Sequence, residues 1–304
     1  MLTSPSILAE NLFNVEDVVA VVTGGGTGIG LMAAQALEAN GAKAVYIVGR
    51  RMDVLENAAK TAEHGKIIPV QGNVTSRADM QGLISRLETE QGRLDILIHC
   101  AGAMLTHHPG FKVPEDGSVE KLQETLLAET EKDWSAQFAV NTTAVYFLTA
   151  ACLGLLKSGS EFWKNQQTTS GKNVARTSQV ITAVGISAYS RFMGSCMGYV
   201  ASKAAVLQLM KTMATVLAPT EIRFNSLAPG IFPTEITAGK GRLDDQNRNF
   251  LGPVDRSQVP QGRAGNAQDI AGAILYLCGK GGFYVNGSTV VVDGGRLSLF
   301  PASY

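Results

Sequence analysis

Short β-branched runs alternate along this chain with longer segments of helical period. Val18 to Thr23 (VVAVVT) is almost wholly apolar, as a strand covered on both faces would be. A 3.6-residue pattern follows over residues 31–40, and Gly41 stands where a helix C-cap is expected. The cycle then repeats. Strands are predicted at 44–48, 66–70 and 94–99, with helices at 52–64 and 76–91 between them. In the second half, 131–156 reads as one long helix, 178–184 as a strand, and 199–217 as a helix closed by Pro219. A strand at 221–227 is stopped by Pro229-Gly230, a helix covers 267–278, and a last strand covers 288–292. This alternation predicts a doubly wound, Rossmann-type α/β fold with a seven-stranded, mostly parallel sheet. No internal repeat or low-complexity linker divides the chain, so a single domain is expected over 16–304, preceded by a short extension, 1–15.

Three stretches break the rhythm. Residues 104–130 contain HHPG and PEDG, 158–177 are polar and turn-rich, and 229–261 are rich in Gly and Pro. Connections this long are usually functional or disordered. The second is expected to be a surface excursion. The third, beside the expected active-site mouth, reads as a substrate loop.

Composition narrows the classes. The 304 residues carry 26 Lys and Arg against 26 Asp and Glu, so no net charge steers the chain to nucleic acid or an anionic membrane. Hydrophobic residues make up 45% and charged residues 17%, enough for a large core under a surface poor in charge, which favours self-association. No continuous apolar run nears the roughly 18 residues of a membrane span. Residues 1–13 lack the basic and apolar regions of a secretory signal, so a cytoplasmic location is expected. Cys100, Cys152, Cys196 and Cys278 are scattered, without metal-ligand spacing, and are expected to be free buried thiols. His107 and His108 have no visible third ligand, so no metal site is expected.

Thr23-Gly24-Gly25-Gly26-Thr27-Gly28-Ile29-Gly30 leaves a predicted strand and opens a predicted helix. A pyrophosphate needs a backbone that comes close and N–H groups left open at a helix N-terminus, and glycine permits that approach. The segment is therefore expected to bind a dinucleotide. The second strand ends in Val48-Gly49-Arg50-Arg51. NAD enzymes usually hold the ribose 2′-hydroxyl with an acid there. Here Gly49 takes that place and arginines follow, and an arginine pairs well with a 2′-phosphate. NADP(H) is expected in preference to NAD(H).

Tyr199-Val200-Ala201-Ser202-Lys203 falls on a predicted helix, where residues four apart share a face. A tyrosine with a pKa near 10 is a poor acid or base at neutral pH, and a nearby cation lowers that value. Such a pair can move a proton while a hydride moves. The T-G-x-x-x-G-I-G loop with this Y-x-x-x-K pair resembles the short-chain dehydrogenase/reductase family, and the likeness extends over about residues 16–296.

The resemblance implies further roles. Asn141 corresponds to the helix asparagine whose backbone carbonyl holds a water in the proton relay. Asn73 and Val74 stand where Asp-Val usually meets the adenine, and the Asn73 carbonyl can still accept from its amino group. Ala101 and Gly102 keep the small volume beside the cofactor, in His99-Cys100-Ala101-Gly102, with His99 read as a structural histidine. Pro229, Gly230, Ile231 and Thr234 match the segment that meets the nicotinamide carboxamide. The family places a serine twelve to fourteen residues before the tyrosine, to bind the substrate carbonyl. Ser187 lies twelve before Tyr199, yet alignment on the apolar strand puts Gly185 at that position. Phe192, Met193, Met197, Ile231 and Phe232 are open to a substrate-pocket role or a core or interface role.

The expected activity is ketone–alcohol interconversion with NADP(H), in the manner of reductases of microbial or fungal specialised metabolism. Tyr199 would be the proton donor, with Lys203, Ser187 and Asn141 around it. Non-redox chemistry such as dehydration or cyclisation, or a catalytically silent nucleotide-binding scaffold, are the rivals. A small carbonyl or alcohol substrate is the expected partner. Relatives pair through the helices that here hold Asn141 and Tyr199, so a homodimer or homotetramer is expected.

Overall fold

A computed structural model describes residues 7–105, 117–170, 176–191, 196–238 and 253–303. The strands are β1 Val19–Thr23, β2 Ala44–Gly49, β3 Ile67–Gln71, β4 Ile96–His99, β5 Gln179–Ala183, β6 Arg223–Pro229 and β7 Thr289–Val292. They form one sheet of order β3-β2-β1-β4-β5-β6-β7, with every pairing parallel. The helices are α1 Ala9–Leu12, α2 Gly28–Ala39, α3 Met52–Ala59, α4 Arg77–Glu90, α5 Val119–Leu127, α6 Glu131–Phe138, α7 Ala144–Ser170, α8 Met197–Val216, α9 Glu235–Ala238 and α10 Ala267–Cys278.

The period-2 geometry of a strand explains the apolar runs. Val19 and Val21 of β1 pack into one core with α4, α7 and α8, whereas Ala20 and Val22 pack into the other with α2, α3 and α10. The strand order reverses between β1 and β4, so a crevice opens where their carboxyl ends part, the usual ligand position in such sheets.

Three elements differ from the predicted ones, each for a local reason. The helix predicted over 52–64 ends at Ala59. The buried Glu38 carboxylate accepts from the N–H groups of Glu63, His64 and Lys66 at 2.9, 2.6 and 3.2 Å, which holds that stretch as a loop. The helix predicted over 131–156 contains a π-helical turn, Ala139–Thr143, in which Ala144 N–H donates to the Ala139 carbonyl. It then runs on through Ser170, so 158–170 is helix and not a surface excursion. Gly159, Ser160 and Trp163 form its inward face. A Cβ at Gly159 would lie 2.3 Å from the Leu94 carbonyl, so the helix presses directly on the amino ends of the strands.

Among the described residues, 131–166 is long and apolar enough to cross a membrane by length and composition, and 44% of an apolar 18-residue window within it is buried in the protein. The stretch 104–130 contains α5, and 229–261 contains α9. His107, His108, Phe192 and Met193 lie outside the described residues.

Candidate active site

At the carboxyl ends of the strands lies one cleft of about 1050 Å³. Its floor is the glycine loop. Gly24 has φ +67°, and a Cβ there would lie 2.7 Å from Ala101 N. A Cβ at Gly30 would lie 2.3 Å from the Gly24 carbonyl. Any side chain at these two positions would push the loop off its neighbours. Thr27, the N-cap of α2, gives no side-chain cap, so the first turn of the helix faces the cleft as backbone. Gly26, Gly28 and Ile29 complete this wall. A phosphate-sized anion fits this cradle by both shape and dipole.

Arg50 extends from the end of β2 at the rim, exposed, and its guanidinium has no partner among the described residues. Arg51 lies beside it but is paired with Glu235 of α9 at 2.7 Å, which ties the two rims together. Asn73 and Val74 line the same end. The Asn73 carbonyl, expected to meet the adenine amino group, instead accepts from Thr75 N and Oγ1 at 3.1 and 2.9 Å. Its two lone pairs are thereby engaged, and the amide Nδ2 is the group left to a ligand.

Ala101 and Gly102 follow β4 against the cleft, and Ala101 N–H donates to Thr23 Oγ1 at 3.3 Å. His99 is a core residue, with Nε2 2.9 Å from Thr149 Oγ1 and its pKa pushed down to about 3 by burial. Asn141 sits in the π-turn, fully inside. Its Nδ2 donates to Ala103 O and Ser202 Oγ, each at 2.9 Å, and its Oδ1 accepts from Ala103 N–H at 2.9 Å. The side chain thus clamps the strand after β4 to α8. A π-turn re-aims backbone groups that an α-helix would consume, and such turns favour functional sites.

Tyr199 and Lys203 share the inner face of α8, with Lys203 Nζ 5.7 Å from the Tyr199 ring centroid. Lys203 donates to the Ala183 carbonyl at 2.9 Å. Burial pushes its pKa down to about 8. The Tyr199 hydroxyl moves opposite to the sequence expectation. Burial, which disfavours the phenolate, pushes it up to about 12, with a further rise from the neighbouring Cys196.

Gly185 ends the turn after β5 with φ +77°. A Cβ there would begin 4.0 Å from the Tyr199 hydroxyl and 4.0 Å from the Pro229 carbonyl. Gly185 thus stands close to the tyrosine hydroxyl without a side chain. Ser187 lines the same cleft two residues on, in the 3-10 turn Ile186–Ala188, and its hydroxyl has no hydrogen bond among the described residues.

Pro229, Gly230, Ile231 and Thr234 wrap over the glycine loop. A Cβ at Gly28 would meet the Thr234 methyl at 3.0 Å. Thr234 N–H donates to Thr237 Oγ1 at 3.0 Å, and Thr237 Oγ1 also bonds the Phe232 carbonyl, so the segment is self-braced. Phe232 is buried core, whereas Met197 is exposed at the start of α8.

Sequence reasoning missed three groups. Ser202 links Asn141 to α8 and donates to the Tyr199 carbonyl at 2.7 Å; its place inside the Y-x-x-x-K run was the available signal. Glu129 accepts from the N–H groups of Met197 and Gly198, capping the helix that carries Tyr199. Arg296 and Phe300 of the C-terminal tail line the cleft, which nothing local in the sequence indicated.

The chain matches the family described as Enoyl-(Acyl carrier protein) reductase over residues 24–296. It is 41% identical over 304 residues to the short-chain dehydrogenase/reductase PhomF of Diaporthe leptostromiformis, covering 99% of this chain and 98% of that protein. It is 27% identical over 282 residues to the 3-oxoacyl-[acyl-carrier-protein] reductase FabG of Escherichia coli, covering 93% and 98%. Among solved structures, the Pseudomonas aeruginosa RhlG/NADP active-site complex aligns with a TM-score of 0.74 at 26% identity, covering 94% of this chain and 98% of that one.

Proposed function

The chain belongs to the short-chain dehydrogenase/reductase family, and on that premise we propose that it interconverts a ketone and a secondary alcohol with NADP(H), Tyr199 giving or taking the proton. One observation carries this reading. Tyr199, Lys203 and Asn141 converge beside a glycine loop whose close-packed backbone leaves a cradle for phosphates. The relative crystallised as an NADP complex is similar over nearly the whole chain. Arg50, a guanidinium without a partner among the described residues and next to Gly49, which stands where an acid would otherwise be, supports the 2′-phosphate form of the cofactor.

Bound in this cleft, the reduced nicotinamide supplies the hydride. The protein's part is the proton and the geometry. The Tyr199 hydroxyl, pushed up to about 12, stays protonated at neutral pH and can donate to a developing alkoxide. The Lys203 ammonium, held by the Ala183 carbonyl, then lies close enough to stabilise the phenolate. Asn141 fixes residues 101–103 and α8 in one register through Ala103 and Ser202. Ser187 is the hydroxyl left to orient the carbonyl. The outer face of α7, with Tyr146 and Phe147 each 46% exposed, supports pairing into a dimer or tetramer. Free cysteines suit a reducing, cytoplasmic setting.

Gly185 favours a second reading. With a glycine this close to the Tyr199 hydroxyl, that reading is of a pocket that binds NADP(H) for non-redox chemistry, or of a silent scaffold. Following NADPH absorbance over a panel of ketones, with wild type and Tyr199→Phe, separates the two. The oxidoreductase reading expects wild-type oxidation and a loss of about 10²–10⁴-fold in Tyr199→Phe at unchanged NADPH affinity. Tight NADPH binding without oxidation across the panel would defeat it.

A further inference from the structure

The cleft has cations at three places. Arg50 and Arg51 stand at the β2 rim, Lys203 lies beside Tyr199, and Arg296 lines the cleft from the C-terminal tail. The first three are accounted for by the cofactor reading and the Glu235 pair. Arg296 is not.

It opens the 3-10 turn Arg296–Ser298, just after the Asp293-Gly294-Gly295 turn. The tail beyond it folds back along the β5–α8 connection. Arg191 N–H donates to the Pro301 carbonyl at 2.9 Å, Ser303 N–H donates to the Tyr189 carbonyl at 2.9 Å, and Ser190 bridges Ala302. The tail is therefore a wall of the end of the cleft that also holds Ser187 and Ser190. Ile186, in the 3-10 turn beside Ser187, and Phe300, beside Arg296, are apolar residues of the cleft lining.

The guanidinium is held in place from two sides. Nη1 donates to the Gln258 carbonyl at 2.7 Å, and the group lies 5.1 Å from the Phe300 ring centroid. No carboxylate lies within salt-bridge distance among the described residues. The nearest charge that acts on it is Asp293, whose oxygens already accept from Gly295 and Leu297 N–H at 2.9 and 2.7 Å. A part-buried, fixed cation without a salt-bridged counter-ion is well placed to gain from a ligand that supplies the anion.

Resting on the oxidoreductase reading for the site as a whole, we propose that Arg296 is a specificity-determining residue and that the substrate is a keto acid whose carboxylate it binds. A carboxylate matches the planar fork of the guanidinium, and one cation balances its single charge. A phosphate would bring a second charge to a rim that also carries Asp255.

The probes are 4-acetylbenzoate and its methyl ester, followed by straight-chain keto acids of increasing length with their esters. Binding to the full-length protein is measured by calorimetry, with and without NADP⁺. The proposal expects an acid to bind at least about tenfold more tightly than its ester. Arg296→Gln should lose that preference and leave ester affinity unchanged, and Arg296→Lys should recover part of it. Thermal melts of both variants check that the tail stays docked.

Equal binding of acid and ester by wild type would overturn the proposal, as would equal weakening of both in Arg296→Gln, the mark of a purely structural arginine. Tighter binding of 4-acetylphenyl phosphate than of any acid, or no keto acid binding at all, would also overturn it. Because binding is the readout, acid-selective binding without NADPH oxidation sustains Arg296 while sinking the reductase. Indifferent turnover of acid and ester does the reverse.

Discussion

At the amino ends of the strands, Asp95 accepts from Val19 N–H at 2.7 Å, Trp163 Nε1 at 2.9 Å and Arg93 Nε at 3.2 Å. Arg93 lies 3.6 Å from the Phe162 ring centroid and Arg176 lies 4.3 Å from that of Trp163. Arg223 donates to Gln179 Oε1 and to the Gly282 and Val285 carbonyls. In this cluster Arg176 Nε alone is a buried side-chain atom without a partner among the described residues. At the carboxyl ends the same kinds of group stand differently. Arg50 and the Tyr199 hydroxyl have no partner among the described residues, Lys203 has one carbonyl, and Arg296 has no counter-ion within reach. Buried charge persists in a fold when it is mutually satisfied. Where it is left short of partners, a ligand's polar atoms complete it. Residue type does not separate the structural arginines of this sheet from its functional ones; satisfaction does.

This contrast can be broken from either end. The largest effect is expected at the amino end. Asp95→Ala strips three donors of their acceptor and leaves Arg93 buried, which should cost about 3–5 kcal/mol in urea unfolding. The folded fraction should still bind NADPH with wild-type affinity. An unchanged unfolding midpoint would remove the distinction between the ends.

Arg50→Ala should do the opposite. Stability should hold, since the side chain has no partner to lose. The affinity ratio of NADPH over NADH should fall about tenfold, in line with a charge-assisted contact to a phosphate. A ratio that does not move in a fluorescence titration would assign the 2′-phosphate elsewhere.

The smallest effect concerns Lys203, whose pKa is pushed down to about 8 by burial. A lysine depressed in the fold binds fewer protons there than in the unfolded chain, so its contribution to stability rises with pH from about 8 towards the ordinary value. Lys203→Met should therefore be more stable than wild type at pH 7, by on the order of 1 kcal/mol. That advantage should shrink between pH 8 and pH 10. A constant difference across that range would show that the ammonium carries no desolvation cost.

Much of the sheet was legible because strands covered on both faces, β1 and β2 above all, read as short apolar runs. The helix over 158–170 was not. Lys164, Asn165 and Gln166 make that stretch polar, and the spacing of Gly159, Ser160 and Trp163 acquires meaning only against Leu94 and Asp95. The early end of α3 depends on Glu38, roughly 25 residues upstream, and local pattern cannot see it. In the site, the glycine loop, Tyr199 and Lys203 were readable because their spacing is local. Gly185 was harder, since its positive φ and its closeness to Tyr199 arise from the turn after β5. The Arg51–Glu235 pair spans 184 residues of sequence, and Arg296 depends on where the C-terminal tail docks. Long-range juxtapositions of this kind are set by topology.

The central claim is that this cleft holds a hydride donor and that Tyr199 supplies the matching proton. The most direct test provides the protein with NADPH deuterated at the transferring carbon of the nicotinamide and examines a reduced ketone by mass spectrometry. The account predicts one deuterium on the carbinol carbon with wild type, and little labelled product from Tyr199→Phe at full occupancy with NADPH. Bound NADPH that keeps its deuterium while the ketones stay unreduced would contradict it.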